Sequence, residues 1–211
     1  MKNLFEFIEK IIGGSAGPTV TFGLERNEND LPTLKKVSKV GVTCILKPLK
    51  GLEWNGQLIP FGASKKEVEM VMGNPAIVNK SYYYFENELR FDFDKKGNIE
   101  FIEFLGGIDG KLKPIIYDMS AFESSTDELK KLLREKNAGE VDDAEGEYSS
   151  SFLNISVGVY RDITPGDVQE MIEDMKADGI PTEGNEDLEN DKRRANHWGT
   201  IGIGIAGYYK K

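Results

Sequence analysis

The chain has one cysteine (Cys44), one histidine (His197) and 8 prolines among 211 residues. A single thiol excludes a disulfide framework, and one Cys with one His cannot build an ordinary Cys/His zinc site. Few prolines beside 23 glycines without a strict period exclude collagen-like and proline-rich chains. No run approaches the ~18 apolar residues of a membrane helix. The stretch Met1–Ile12 is partly apolar, but Glu6 and Glu9 interrupt it, so it is not a signal-peptide core. These absences predict a cytoplasmic protein without membrane contact. What remains, 39% hydrophobic and 30% charged residues, is the composition of a globular chain with one large domain or two small ones.

Charge is unevenly placed. Residues 1–122 hold 16 acidic and 16 basic residues, whereas residues 123–191 hold 20 acidic against 6 basic, and residues 192–211 carry 5 basic and no acidic ones. An acidic region of this size repels nucleic acid and phospholipid and favours a basic partner or cations. The alternative is that the acidic surface serves solubility alone.

Along the chain, Leu4, Phe5, Ile8, Ile11 and Ile12 fall at helical spacing, and Gly13–Pro18 ends that helix. Thr19–Leu24 and Val40–Leu46 have strand character, with the turn Asn27–Asp30 between them. From Phe61 the signals sharpen. Ser64 and Glu67 form a capping box, Val68, Val71 and Met72 supply an apolar stripe, and Gly73 and Pro75 stop the helix. Three strands follow: Tyr82–Phe85, Leu89–Asp94 with period-two alternation, and Ile99–Phe104 after the turn Lys95–Asn98. The start of this unit recurs 61 residues later, where Phe122, Ser125, Glu128, Leu129, Leu132 and Leu133 repeat Phe61, Ser64, Glu67, Val68, Val71 and Met72. Strands at 147–152 and 154–160, a further helix from Thr164 to Met175, a polar loop over 181–196 and a glycine-rich strand from Trp198 complete the chain. The fold class is therefore α+β. Residues 58–110 and 111–211 form two related units of one helix and an antiparallel sheet, behind an N-terminal extension over 1–57.

The pattern Phe61-Gly62-x-Ser64-x-x-Glu67-Val68 through Gly73-x-Pro75, with aromatic strands after it, resembles the repeat of β-lactamase-inhibitor-like proteins. Small outer-membrane assembly lipoproteins share that unit. The resemblance covers roughly residues 58–160. It implies a binding scaffold without a catalytic centre, of the kind used by an intracellular bacterial immunity or inhibitor protein. The lipid-bearing Cys of the lipoproteins and the paired cysteines common in secreted inhibitors are both missing from this chain.

Several motifs invite a chemical role. Gly202-x-Gly204-x-x-Gly207 matches the dinucleotide fingerprint, but that fingerprint needs a helix after it to hold the pyrophosphate. Close packing over a glycine strand is the reading preferred here. Gly13–Gly17 lacks the Lys-Ser/Thr of a phosphate loop. Asp92, Asp94, Gly97, Ile99 and Glu103 partly match a calcium loop, yet Lys96 places a cation where an oxygen should stand and the flanks alternate like strands. Residues 92–103 are expected to be a hairpin without bound metal. His197 beside Trp198 could act as a general base only with a nucleophile and an orienting acid that the sequence does not single out.

Two features point to partner binding. Asp142, Asp143, Glu145 and Glu147, and farther on Glu186 and Asp187, lie in stretches with loop composition and are expected to be solvated. In the strand at 82–85, Tyr83 and Phe85 are expected to fill the core with Phe91 and Phe101, which turns Tyr82 and Tyr84 outward as contact residues; the alternative is a sheet face covered by another element. The expected function is non-enzymatic and needs no cofactor: binding of a basic partner, such as a toxin domain, through a sheet face and an acidic loop. The alternatives are a hydrolase using acidic residues near His197 and a structural or assembly module.

Overall fold

The structure, a computed structural model, describes residues 42–210. The expected helix over residues 3–12, the break at 13–18, the strand Thr19–Leu24 and the turn Asn27–Asp30 lie outside the described residues. From Thr43 onward the chain forms one compact unit. Both helices and antiparallel-rich sheets are present, so the class is α+β.

Strands β1 (Cys44–Lys47), β2 (Gly51–Trp54) and β3 (Gln57–Pro60) form an antiparallel meander. Asn55 and Gly56 both adopt positive φ between β2 and β3, as a tight two-residue hairpin turn requires. The hairpin β8 (Ile115–Ile116) and β9 (Met119–Ser120) is built the same way around Tyr117 and Asp118, and β8 lies parallel to β1. These five strands make one sheet in the order β3-β2-β1-β8-β9. Residues 44–57, expected in a separate extension, are thus part of the folded body. Each capped helix is preceded by a hairpin, so the duplicated element is longer than its helix and meander.

Helix α1 (Lys65–Met72) starts at the capping box expected from sequence, with the Ser64 amide donating to Glu67 Oε2 at 2.7 Å. Helix α2 (Thr126–Asn137) repeats it, the Ser125 amide donating to Glu128 Oε2 at 3.0 Å. Satisfying these orphan amides lets such short segments begin as helices. Helix α1 buries Val68, and the longer α2 buries Leu129, Leu133 and Asn137.

The second sheet has eight antiparallel strands. Strands β4 (Ala76–Val78), β5 (Ser81–Tyr84), β6 (Leu89–Phe93) and β7 (Ile99–Phe104) follow α1, while β10 (Val141–Asp142), β11 (Ser149–Phe152), β12 (Val157–Tyr160) and β13 (Thr200–Gly204) follow α2. Their order is β10-β11-β12-β13-β7-β6-β5-β4, so the two four-stranded halves join edge to edge through β13 and β7. At that seam Ile102 pairs with Ile203 and Phe104 with Ile201, a register that exchanging the halves about a local dyad reproduces. Helices α3 (Pro165–Ala177) and α4 (Glu186–Ala195) are inserted between β12 and β13 and share a small core of Val168, Leu188 and Ala195. The stretch 181–196, expected to be a loop, is therefore mostly the helix α4, capped by Asn185. Among the described residues no helix is long and apolar enough to cross a membrane.

One large core holds the inner faces of both halves, and it reverses the expected direction of the tyrosine strand. Tyr82 and Tyr84 are buried at 5% and 6% exposure, while Tyr83 is half-buried and Phe85 exposed. The cause lies in the helix packed above. Tyr82 Oη donates to Glu69 Oε1 at 2.7 Å, and Tyr84 Oη donates to the Gly73 carbonyl at 3.2 Å. Each phenol thus buries its ring beside Phe91 or Phe93 and still finds an acceptor on α1 or its cap. Phe85 leaves the strand with φ 53° and leans on Trp54 instead.

Candidate functional site

The outer face of the eight-stranded sheet is where the chain concentrates half-exposed chemistry. Strand pairing sets one lateral row across all eight strands: Ala76, Tyr83, Arg90, Glu103, Gly202, Gly158, Ser151 and Asp142. Alternation puts these residues opposite the core-facing set, and Asp92 and Phe101 lie one step along on the same face.

In the first half, Arg90 is the centre of a charged cluster. Its Nη2 meets Asp92 Oδ2 at 3.0 Å, its Nη1 meets Glu103 Oε2 at 3.2 Å, and its guanidinium lies 5.4 Å from the Phe101 ring centroid. Burial pushes the Glu103 carboxyl above its ordinary range, only partly offset by Arg90 and a hydrogen bond from Thr200. Among the described residues, Arg90 Nε and Asp92 Oδ1 are buried without a hydrogen-bonding partner. Asp94, next along the strand, is spent on the turn: its Oδ1 accepts the Lys96 amide at 2.8 Å and the Asn98 amide at 2.9 Å. Residues 92–103 form the hairpin read from sequence, with Asp92 turned to ion pairing and Asp94 to turn closure.

In the second half, the same face is floored by glycine. Side chains at Gly158, Gly202 or Gly204 would strike rings of Tyr209, Phe101 or Tyr208. Tyr208 stacks on Phe101 at 4.5 Å between centroids, and Tyr209 packs edge-on to both. The spacing of Gly202, Gly204 and Gly207 is thereby explained by ring packing and a turn with positive φ at Gly207. Burial pushes the Tyr208 and Tyr209 hydroxyls up, and the Asp92 and Glu103 carboxylates nearby add to it.

The expected contact acids separate on inspection. Asp142 is exposed on the edge strand, and its Oδ1 accepts the Ala144 amide at 3.0 Å. Glu145 is exposed in the following turn. Asp143, expected as a solvated loop acid, instead faces Lys130 at 3.1 Å, Arg134 and Ser150. Those partners bring its carboxyl below the ordinary range although burial opposes them. Glu147 is exposed but meets Arg161 at 3.2 Å. Glu186 and Asp187 sit exposed in the first turn of α4, where acids favour the helix itself. Tyr82 and Tyr84 belong to the core and are not contact residues.

His197 borders a separate cleft of about 280 Å³, lined also by Asp109, Tyr160, Asp162, Arg194 and Trp198. The ring is oriented structurally: Nδ1 lies 3.0 Å from the Ser124 carbonyl and donates to it. Asp109 is held by Arg194 at 2.7 Å and by Arg193, which keep its carboxyl below the ordinary range. An acid so stabilised as a carboxylate is a poor proton donor. Among the described residues no group of three or more His, Cys, Asp and Glu side chains is arranged to hold a metal ion.

Sequence reasoning passed over Arg90, Tyr208 and Tyr209 as site residues, placed Tyr83 in the core and read Glu103 only as part of a calcium-loop match. The alternation of Arg90 and Asp92 between apolar residues carried part of the signal, but the face it occupies depended on pairing with β7. No family model, no curated protein and no solved structure matches this chain.

Proposed function

We propose that the chain is a non-enzymatic binding protein that occupies a basic protein partner with the outer face of its eight-stranded sheet, as an intracellular immunity or inhibitor protein would. The observation that carries this reading is the row from Tyr83 to Asp142. It combines half-exposed aromatic and charged side chains on a rigid, fully paired sheet, with exposed acids at one edge. Rigid placement lowers the entropy cost of docking, and aromatic side chains concentrate binding energy. The similarity of the repeat to β-lactamase-inhibitor-like proteins supports the same reading. The acids Asp142 and Glu145 steer association, because exposed charges act over about 8 Å at physiological salt and mainly raise the encounter rate.

The test begins with the partner recovered from the native host and then purified. Tyr83→Ala should weaken binding about 30-fold through faster dissociation, the equivalent of ~2 kcal/mol at a hot spot. Asp142→Asn with Glu145→Gln should slow association at low salt and leave dissociation unchanged. Wild-type rates in both variants would refute the docking face.

A further inference from the structure

The segment after Gly207 covers the middle of the outer face, and three observations describe how it is held. First, the glycines beneath it are matched to its rings. Gly158 pairs directly with Gly202 in the strand register; a side chain at Gly158 would strike Tyr209, one at Gly204 would strike Tyr208, and one at Gly202 would strike Phe101, with Tyr209 Oη 3.0 Å away. Glycine weakens a strand, so its presence on two paired strands marks a site where something else approaches the backbone.

Second, the cover is tied to the body by side chains more than by backbone, through its rings and through Lys210 Nζ, which donates to Asn154 Oδ1 at 3.4 Å. The Ile205 amide donates to the Glu100 carbonyl at 3.0 Å and the Ile205 carbonyl accepts from Ser156 Oγ at 2.7 Å. Beyond Ile205 the backbone closes on itself in turns, Tyr208 bonding back to Ile205 and Lys210 to Gly207, each at 3.0 Å. Residues 206–210 belong to no strand of the sheet. Gly207, at φ 80°, gives the segment its reversal. Segments without ladder bonds open at low free energy.

Third, the rings lie beside charged groups. Tyr208 stacks on Phe101, whose ring centroid is 5.4 Å from the Arg90 guanidinium, and Gly202, close to Tyr209, pairs with Glu103 in the register. Arg90 Nε and Asp92 Oδ1 are the two buried side-chain atoms without a partner among the described residues.

We propose that Tyr208 and Tyr209 occupy, within the chain, a slot for an aromatic side chain of the basic partner, and that the segment after Gly207 is displaced when the partner docks. The slot has a glycine floor (Gly158, Gly202), a wall of Phe101, and a rim of Asp92 and Glu103, which share the one Arg90 guanidinium and so stay net acidic. That chemistry suits a tyrosine or phenylalanine ring with a lysine or arginine next to it. The inference rests on the docking face described above and names what one part of that face recognises.

The test needs no partner. A chain ending at Gly207 and a full-length Tyr209→Ala variant are checked for folding by circular dichroism and thermal melting, then titrated with N-acetyl-tyrosinamide by NMR. The truncated chain should stay folded and bind the probe at least tenfold more tightly than the full-length protein, with ring-current shifts at the Gly158 and Gly202 amides. Tyr209→Ala should fall between the two. If a folded truncated chain binds no more tightly than full-length protein, the slot is refuted. If truncation alone unfolds the chain, the Tyr209→Ala titration decides. If both variants unfold, the rings are core and the proposal fails. None of these outcomes touches the Tyr83 and Asp142 variants, so the slot and the docking face fail separately.

Discussion

The two halves of the eight-stranded sheet share a topology but fill it differently. Pairing makes Tyr82, Tyr84, Leu89 and Phe91 of the first half equivalent to Ser150, Phe152, Val157 and Val159 of the second. The second half has the smaller inward side chains and the longer helix, 12 residues against 8. Leu129 and Leu133 of α2 supply volume from above that Tyr82 and Phe91 supply from below in the first half. A repeat can therefore keep its register while moving bulk between layers, because close packing constrains the summed volume rather than its source. On the outer face the contrast is chemical: a charged cluster around Arg90 on one side, and glycine under rings on the other.

The sharpest way to break this comparison is to remove bulk at an equivalent pair. Phe91→Ala should destabilise by about 4 kcal/mol and Val159→Ala by about 2 kcal/mol, read by chemical denaturation. Equal losses would show that the helix layers do not compensate.

The second half also has a buried polar clamp. Asn137, 2% exposed, accepts the Asn154 amide at 2.8 Å and donates to the Glu140 carbonyl at 2.8 Å. Asn137→Ala leaves those groups unsatisfied and should cost about 2 kcal/mol in the same measurement. The capping boxes should behave alike in both halves, Ser64→Ala and Ser125→Ala each costing about 1 kcal/mol. A larger loss at Ser64 would show the shorter helix to be the less supported one.

The smallest effect is in pH dependence, where the halves should have opposite signs. Glu103 has a raised folded value, so its contribution is present below the ordinary Glu range and fades as pH rises through that raised value. Asp143 has a lowered one, so its contribution is present above the ordinary Asp range and is lost as pH falls through the lowered value. Carboxyl NMR titration should place the Glu103 midpoint above ~4.3 and the Asp143 midpoint below ~3.9. Asp143→Asn should flatten stability on the acid side, and Glu103→Gln on the side above it.

What the sequence by itself determined is local. The capping boxes at Ser64 and Ser125 and the turn at Lys95–Asn98 are decided by residues within a few positions of one another, and all stand where their spacing puts them. The duplication was legible for the same reason, since the caps repeat. Helix α4 was missed because, apart from Leu188 and Ala195, it buries little, and a polar helix has the composition of a loop. Only the tertiary structure decided the rest. Alternation in Ser81–Tyr84 defines two faces without saying which is inner, and that choice was made by Glu69 and Gly73 of the helix end, which accept the two buried hydroxyls. The seam between β7 and β13, which brings Glu103 beside Gly202 and so builds the outer face, joins residues about a hundred positions apart. Pairing at that distance is set by burial of the whole inner surface, a quantity no local window of sequence contains.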